Sequence, residues 1–171
     1  DAFEATGFAR MAEIGVTATY VPVDVRDPNA LDAALAEVKA THGPIDLIVH
    51  GAGVLEDKFL RDKTTESFDR VFQTKVVGAG ALTAAADPST TVVLFGSIAG
   101  VFGNRGQVDY AAANDALDQL SRSATACQGP HLLAVDWGPW AGGGMVSAEL
   151  EREYERRGIG LVGEQEGVEL L

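Results

Sequence analysis

Four polar residues of this sequence could together carry out acid–base chemistry. Lys75 lies on the apolar face of a predicted helix, three residues after Phe72, and Ser97 directly follows a predicted strand. Tyr110 and Asn114 are four residues apart, so on a helix they share one face. A tyrosine can donate a proton when its pKa falls from about 10 toward the working pH, and a nearby ammonium lowers that pKa by favouring the phenolate. The sequence therefore offers Tyr110 as a proton donor and Lys75 as the group that tunes it.

Each of these residues also has a purely structural interpretation. Burying an ammonium costs several kcal/mol unless it is paired, so the Lys75 stem could instead snorkel to water. Ser97 could cap the segment that follows it. Tyr110 could pack under a sheet while Asn114 caps local backbone. Taken one at a time, these interpretations compete well, and only the combination of all four residues favours catalysis.

The elements that must position these residues alternate between short β-branched runs and helical patterns. The runs are too short for helices and are bounded by Gly, Pro or Asp, which is typical of strands. Strands are predicted for residues 16–23, 45–49, 91–95 and 132–137. Repeated strand–helix–strand units of this length predict an α/β fold with a doubly wound parallel sheet. Ser97 then lies at the carboxyl end of a strand, where such sheets bind ligands.

The helices between these strands carry recognisable ends. Asp27 can cap a helix whose first position is Pro28, and Gly43 with the following proline ends it. The next helix begins at Thr64 or Thr65 and carries Lys75.

Composition excludes several functional classes. The 171 residues are 46% apolar and 22% charged, as in one folded domain of ordinary size. Thirteen Lys and Arg residues against 25 Asp and Glu give a net charge of −12, which predicts no nucleic-acid binding. The single cysteine, Cys127, and the scattered histidines predict no metal site. The longest apolar stretch, residues 92–103, is too short to cross a membrane, so we expect a soluble, cytoplasmic protein.

Together the motifs resemble the ketoreductase domain of type I polyketide synthases, within the short-chain dehydrogenase/reductase superfamily. The matching segments are HGAGVLED, FQTKVVGA, LFGSIAGVFGNRGQVDYAAANDALD and LLAVDWGPW. Most of the superfamily has asparagine upstream and lysine four residues after the tyrosine. These synthase domains exchange the two, as Lys75 and Asn114 do here. The resemblance covers about residues 16–161 and implies a Rossmann-like doubly wound parallel sheet.

The resemblance implies NADPH-dependent reduction of a β-ketoacyl thioester held by an acyl carrier protein. Tyr110 would donate the proton to the ketone oxygen, and Ser97 would hydrogen-bond that oxygen. Lys75 would lower the pKa of Tyr110 and contact the nicotinamide ribose. Asn114 would order the helix, a water or the lysine. The implied partners are the carrier-bound substrate and the rest of the synthase polypeptide, including a structural half of the reductase, with no nucleic acid, membrane or metal.

The resemblance also implies the cofactor contacts. Asp24 and Val25 match an adenine-contacting pair, the segment after the second strand runs beside the cofactor, and Trp140 lies near the nicotinamide amide. The full expected set is Asp24, Val25, His50, Gly51, Ala52, Gly53, Lys75, Tyr110, Pro139 and Trp140. A helix or turn cap at Asp24 and plain core packing of Trp140 stay open as alternatives.

Stereochemical control is implied by a second motif. Leu55-Glu56-Asp57 resembles a leucine–aspartate–aspartate signature that accompanies B-type reduction to the D-configured alcohol, with Glu in place of the first Asp. The opposite type carries a tryptophan eight residues before the tyrosine, where Phe102 stands. Val108 replaces a proline found in many B-type members. The expected substrate-facing residues are Asp57, Phe102, Gln107 and Met145, although Asp57 could also be a solvated loop charge.

Two further expectations concern the ends of the chain. Residues 141–160 are predicted to form a glycine-rich loop and an amphipathic helix that act as a substrate lid, or else an ordinary surface loop and helix. The G-x-G-x-x-G turn with which the family begins is absent from the sequence. We therefore expect a piece of a longer chain, in which residues 1–171 are the catalytic part of one reductase domain. A free-standing reductase of a small ketone and a non-catalytic reductase-like domain are the alternatives.

Overall fold

A parallel sheet organises the part of the protein that the structure describes. The computed structural model describes residues 2–124, 129–142 and 148–171. In this part of the chain the strands are β1 (Leu47–His50), β2 (Thr91–Ser97) and β3 (His131–Trp137), in the order β1-β2-β3. Both pairings are parallel, and the register places Gly96 beside Asp136. The predicted α/β fold with a parallel sheet is confirmed.

Helices connect the strands and cover the sheet. The described helices are α1 (Ala2–Glu13), α2 (Pro28–His42), α3 (Thr65–Ala85), α4 (Ile98–Phe102), α5 (Val108–Ala124), α6 (Ala148–Arg156) and α7 (Glu164–Leu170), with a short 3₁₀ turn at Leu60–Asp62. The Asp27 side chain accepts hydrogen bonds from the N–H groups of Asn29 and Ala30, as predicted for the start of α2. Thr64 caps α3 by accepting from the N–H of Ser67. Neither α1 nor α7 was predicted from the sequence pattern.

The predicted strand at residues 16–23 is wrong for the described structure. These residues are extended but pair with no strand in the described part of the chain. Val16, Tyr20 and Val21 are 48%, 61% and 46% exposed. A strand exists only where a neighbour accepts its backbone hydrogen bonds, so β propensity alone could not create one here.

The core fixes α3 and α5 relative to the sheet. Its buried residues are Leu31, Ile48, Ala79, Leu82, Val92, Leu94, Leu117 and Leu132. Burying each large aliphatic side chain stabilises the fold by about 1.5–3 kcal/mol. A Cβ at Gly100 would lie 2.9 Å from the backbone nitrogen of Asp115, so α4 reaches α5 only because this residue lacks a side chain. These contacts hold the helix carrying Lys75 and the helix carrying Tyr110 on one framework.

The described helices include no candidate for a membrane span. None of the helices that the structure describes combines the length and the apolar character that a bilayer span needs.

Candidate active site

Lys75 is buried, with no carboxylate partner in the described part of the chain. The residue is 4% exposed, and its Nζ donates a 2.7 Å hydrogen bond to the backbone carbonyl of Phe95 on β2. The same nitrogen lies 5.5 Å from the centre of the Tyr110 ring, within the range of a cation–π contact. Burial lowers the pKa of Lys75 to about 8. The side chain therefore does not snorkel to water, and α3 delivers its ammonium to the tyrosine expected to donate the proton.

Tyr110 lies in the first turn of α5, and the pKa of its phenol is raised. Burial is the largest cause, while hydrogen bonding with the Ser97 and Asn114 side chains acts in the opposite direction. This differs from the predicted lowering by Lys75. The reason is that the Lys75 ammonium lies over the ring and is held by Phe95, so desolvation of the phenolate dominates.

Ser97 and Asn114 complete the group around the phenol. The Ser97 oxygen accepts from the N–H of Ala99 at 3.2 Å and caps α4, and the same side chain is hydrogen-bonded to the Tyr110 phenol. Asn114 is fully buried, and its Nδ2 donates to the backbone carbonyl of Tyr110 at 2.7 Å. This contact lies within α5, and the roles expected for Asn114 stay predictions.

A cavity of about 650 Å³ opens beside these residues. Its volume lies in the range of sites for small molecules and cofactors. Of the residues expected at the site, it is lined by Gly51, Lys75, Ser97, Phe102, Gln107, Tyr110, Pro139 and Trp140. Trp140 packs edge-on against Trp137, with ring centres 4.9 Å apart, so it both packs and lines the cavity.

The remaining residues of the expected cofactor set lie outside the cavity lining. Asp24 is exposed, and the Arg26 side chain and backbone N–H, which donate to it, lower its pKa to about 2. This is the local turn interpretation of Asp24. Val25 and His50 both pack against Gly78 of α3. A Cβ at Gly78 would lie 2.9 Å from the His50 ring and 3.2 Å from Val25. Ala52 and Gly53 follow Gly51 in the loop after β1.

His50 packs in the interior at the end of β1. It is 2% exposed, and burial lowers its pKa. Its Nε2 lies 2.9 Å from the backbone carbonyl of Lys75, and because a carbonyl can only accept, Nε2 carries the proton. This hydrogen bond joins the end of β1 to the turn of α3 that carries Lys75. Among the described residues, no group of three His, Cys, Asp or Glu side chains could hold a metal ion.

Of the expected stereocontrol residues, Phe102 and Gln107 line the cavity, and Asp57 is hydrogen-bonded to Gln107. Gln107 is buried, and its Nε2 donates to Asp57 Oδ2 at 2.9 Å, so Asp57 is not simply a solvated charge. The charge of Asp57 also contributes to the raised pKa of Tyr110. Phe102 lines the cavity and is 81% exposed. Met145 lies outside the described residues.

Two groups of residues near the site were not named from the sequence, although the first group lies within the segment 141–160 that was predicted to form a lid. From α6 and the turn after it, Leu150, Tyr154, Arg157 and Ile159 line the cavity. Their amphipathic spacing predicted the helix but not which face met the site. The other group is the buried ion pair between Lys63 and Asp109, whose atoms lie 2.6 Å apart. The two residues are 46 positions apart and carry no shared motif, so no pattern in the sequence pointed to the pair.

Comparison with known proteins agrees with this geometry. The chain is 34% identical over 166 residues to a polyunsaturated fatty acid synthase polypeptide of Thraustochytrium sp., covering 95% of this chain and 6% of that protein. It superimposes with a TM-score of 0.90 and 36% identity on PlmKR1, the ketoreductase from the first module of phoslactomycin biosynthesis in Streptomyces sp. HK803, covering 96% of this chain and 38% of that one. An A-type ketoreductase from a modular polyketide synthase superimposes with a TM-score of 0.85 and 32% identity, covering 96% and 35%.

The chain thus spans less than half of each of these relatives. The sequence model of the KR domain family matches residues 3–142, which include Lys75, Ser97, Tyr110 and Asn114. The match leaves out α6 and α7, although α6 lines the cavity. The chain belongs to the KR domain family, the ketoreductases of polyketide and related synthases.

Proposed function

We propose that this chain is the catalytic part of an NADPH-dependent reductase that converts a carrier-bound β-ketoacyl thioester into the D-configured β-hydroxyacyl thioester. The observation that carries the proposal is the meeting of Lys75 from α3 and Tyr110 from α5 beside one cavity. Ser97, at the carboxyl end of β2, lines the same cavity. A ketone placed there would have a proton donor and a second hydroxyl within one site.

The residues of the cavity fit a nicotinamide cofactor. Gly51 and Gly138 have no side chain and leave space for a flat ring to approach the backbone, and Lys75 supplies a buried donor for a ribose hydroxyl. When bound, the reduced cofactor supplies the hydride that forms the new C–H bond at the carbonyl carbon. The expected contacts of Asp24 and Val25 with adenine belong to this proposal.

Tyr110 supplies the proton in this reaction. As the carbonyl π bond breaks, the developing charge on oxygen takes the phenolic proton, and the tyrosinate then regains a proton from solvent. The Ser97 hydroxyl donates to the same oxygen and stabilises it before transfer is complete. The raised pKa of Tyr110 keeps the phenol protonated at neutral pH. Lys75, with its pKa of about 8, is mostly charged at that pH, and its positive charge stabilises the buried tyrosinate that forms when the proton leaves.

Substrate recognition is assigned to the two sides of the cavity. The loop of residues 55–58, called here the 55–58 loop, carries the segment that resembles the B-type motif and contacts Gln107 through Asp57. Phe102 stands where the opposite type has tryptophan, which favours B-type reduction. On the other side α6 contributes Leu150 and Tyr154, which supports the interpretation of this helix as a lid over the acyl chain.

The test uses the full-length protein with the acetoacetyl thioester of N-acetylcysteamine, a small mimic of the carrier-bound substrate. We expect NADPH to be oxidised faster than NADH and the β-hydroxybutyryl product to be mainly the D enantiomer by chiral chromatography. Tyr110→Phe should reduce kcat by at least ~100-fold with an unchanged circular dichroism spectrum. No reduction by the wild type would refute the reductase, a preference for NADH would refute the cofactor assignment, and a mainly L product would refute the B-type assignment.

A further inference from the structure

We propose that the buried Lys63–Asp109 ion pair is a positioning device that holds the 55–58 loop against the catalytic helix and thereby fixes the handedness of the product. The inference rests on the proposed function, because handedness has meaning only for a reductase. Neither residue lines the cavity, so both would act through the residues they hold.

The Lys63 ammonium joins three parts of the molecule. Its Nζ lies 2.6 Å from Asp109 Oδ2 and also donates to the backbone carbonyl of Glu56 in the 55–58 loop. Lys63 itself immediately precedes Thr64, the cap of α3. The side chains of Lys63 and Asp109 are 3% and 1% exposed. One buried cation therefore connects the start of α3, the loop and the start of α5.

The other carboxylate oxygen of Asp109 contacts the backbone of the residue proposed as the proton donor. Asp109 Oδ1 accepts from the backbone N–H of Tyr110 at 3.0 Å. A carboxylate in the first turn of a helix is also favourable for the helix dipole. The same Asp109 thus holds the loop through Lys63 and holds the first turn of α5 at Tyr110.

Two more contacts hold the loop in register with α5. The N–H of Lys58 donates to the carbonyl of Gly106 at 2.9 Å, and Gln107 donates to Asp57. Leu55 from the loop and Gln107 beside α5 both line the cavity. The relative position of loop and helix therefore sets the shape of one cavity wall next to the reacting oxygen.

The chemistry of the pair points to positioning rather than stability. Buried ion pairs are often replaced by apolar residues without loss of stability, because desolvation offsets most of the attraction. Apolar side chains could not donate a hydrogen bond to the Glu56 carbonyl, so they could not fix the position of the loop. Misplacement by about 1 Å in a site can cost ~100-fold in rate, so we expect the position of this loop to affect which carbonyl face meets the hydride.

The test compares three variants in the full-length protein: Lys63→Met, Asp109→Asn and the double variant Lys63→Met/Asp109→Leu. Lys39→Met is the matched control, since Lys39 also donates to a backbone carbonyl, that of Ala85, and pairs with a carboxylate, that of Asp87. The measurements are the D-to-L ratio of the β-hydroxybutyryl thioester formed from the acetoacetyl thioester, kcat and KM separately, and the melting temperature.

We expect the D-to-L ratio to fall at least ~10-fold in every variant of the pair that is folded at the assay temperature, with the control unchanged. The double variant should melt near the wild type yet keep the lower ratio, which a merely structural role would not produce. A wild-type ratio in the folded variants, the same fall in Lys39→Met, or failure of all three variants to fold would overturn the inference alone. An inactive wild type would overturn the proposed function and this inference with it.

Discussion

Two lysines of this protein donate hydrogen bonds from enclosed side chains, yet their surroundings differ. Lys75 is 4% exposed and the Lys63 side chain is 3% exposed, and each donates to a backbone carbonyl. Lys63 has the Asp109 carboxylate at 2.6 Å. Lys75 has no carboxylate partner among the described residues, and its cation faces the Tyr110 ring and the cavity.

The difference indicates what each lysine does. A buried ammonium with a carboxylate is neutralised as a pair and is suited to holding segments in place. A buried ammonium without one keeps an uncompensated positive charge, at a cost in stability that shows as the lowered pKa of Lys75. Perturbed groups of this kind concentrate at functional sites. The contrast supports the two roles proposed above, a positioning cation at Lys63 and a chemical one at Lys75.

The largest expected effect is on stability at Lys63. Lys63→Met leaves the Asp109 carboxylate buried without its partner, so the free energy of unfolding should fall by about 3–5 kcal/mol at pH 7. Urea denaturation of the full-length protein measures it, with the less buried Lys39→Met as control. A loss below about 1 kcal/mol would mean that the pair is weaker than its burial indicates.

The next effect is on catalysis at Lys75. Lys75→Met removes the cation beside the phenol, so kcat at pH 7 should fall by ~100-fold, equivalent to about 2.7 kcal/mol. Lys63→Met should reduce kcat less than it reduces the ratio of the two alcohols. Steady-state oxidation of NADPH with the acetoacetyl thioester measures both variants. Equal losses of kcat in the two would remove the distinction between the lysines.

Lys75 could be singled out from the sequence as a site residue, but the Lys63–Asp109 pair could not. Lys75, Ser97, Tyr110 and Asn114 belong to motifs that local spacing and a family resemblance make visible. Lys63 looks like an ordinary loop charge beside Asp62, and Asp109 looks like a helix-capping acid. Only the fold brings them together, because their separation of 46 residues is closed by the packing of α3 on α5.

The same limit applies to the rest of the fold. The ends of α2 followed from Asp27, Pro28 and Gly43, since caps and breakers act within a few residues. Residues 16–23 have strand-like composition, but pairing depends on a distant partner that the sequence pattern does not specify. His50 was expected near the cofactor through a motif, and its hydrogen bond to the Lys75 carbonyl could be found only from the structure.

Replacing Lys75 should change the free energy of unfolding in the opposite direction from replacing Lys63. The pKa of Lys75 falls from 10.5 to about 8 on burial, so the folded state binds the proton less tightly than the unfolded chain does. This penalty is fully present below pH 8 and disappears as the pH rises toward 10.5. Lys75→Met should therefore raise the free energy of unfolding at pH 7 by about 2 kcal/mol, allowing for the lost hydrogen bond to Phe95. Urea denaturation at pH 7 and pH 10 measures it, and a destabilised variant at pH 7 would contradict the interpretation.

The smallest effect is on the pH dependence of the reaction, and it separates the two lysines most directly. If the Lys75 ammonium assists Tyr110, kcat/KM should fall about tenfold per pH unit above the Lys75 pKa of about 8. Lys75→Met should have low activity without this fall, until the Tyr110 phenol loses its proton at a pKa above its usual value of about 10. Lys63→Met should keep the wild-type fall near pH 8, because its charge does not face the phenol. The same profile in wild type and Lys75→Met would assign the fall to another group and leave Lys75 a positioning role like that of Lys63.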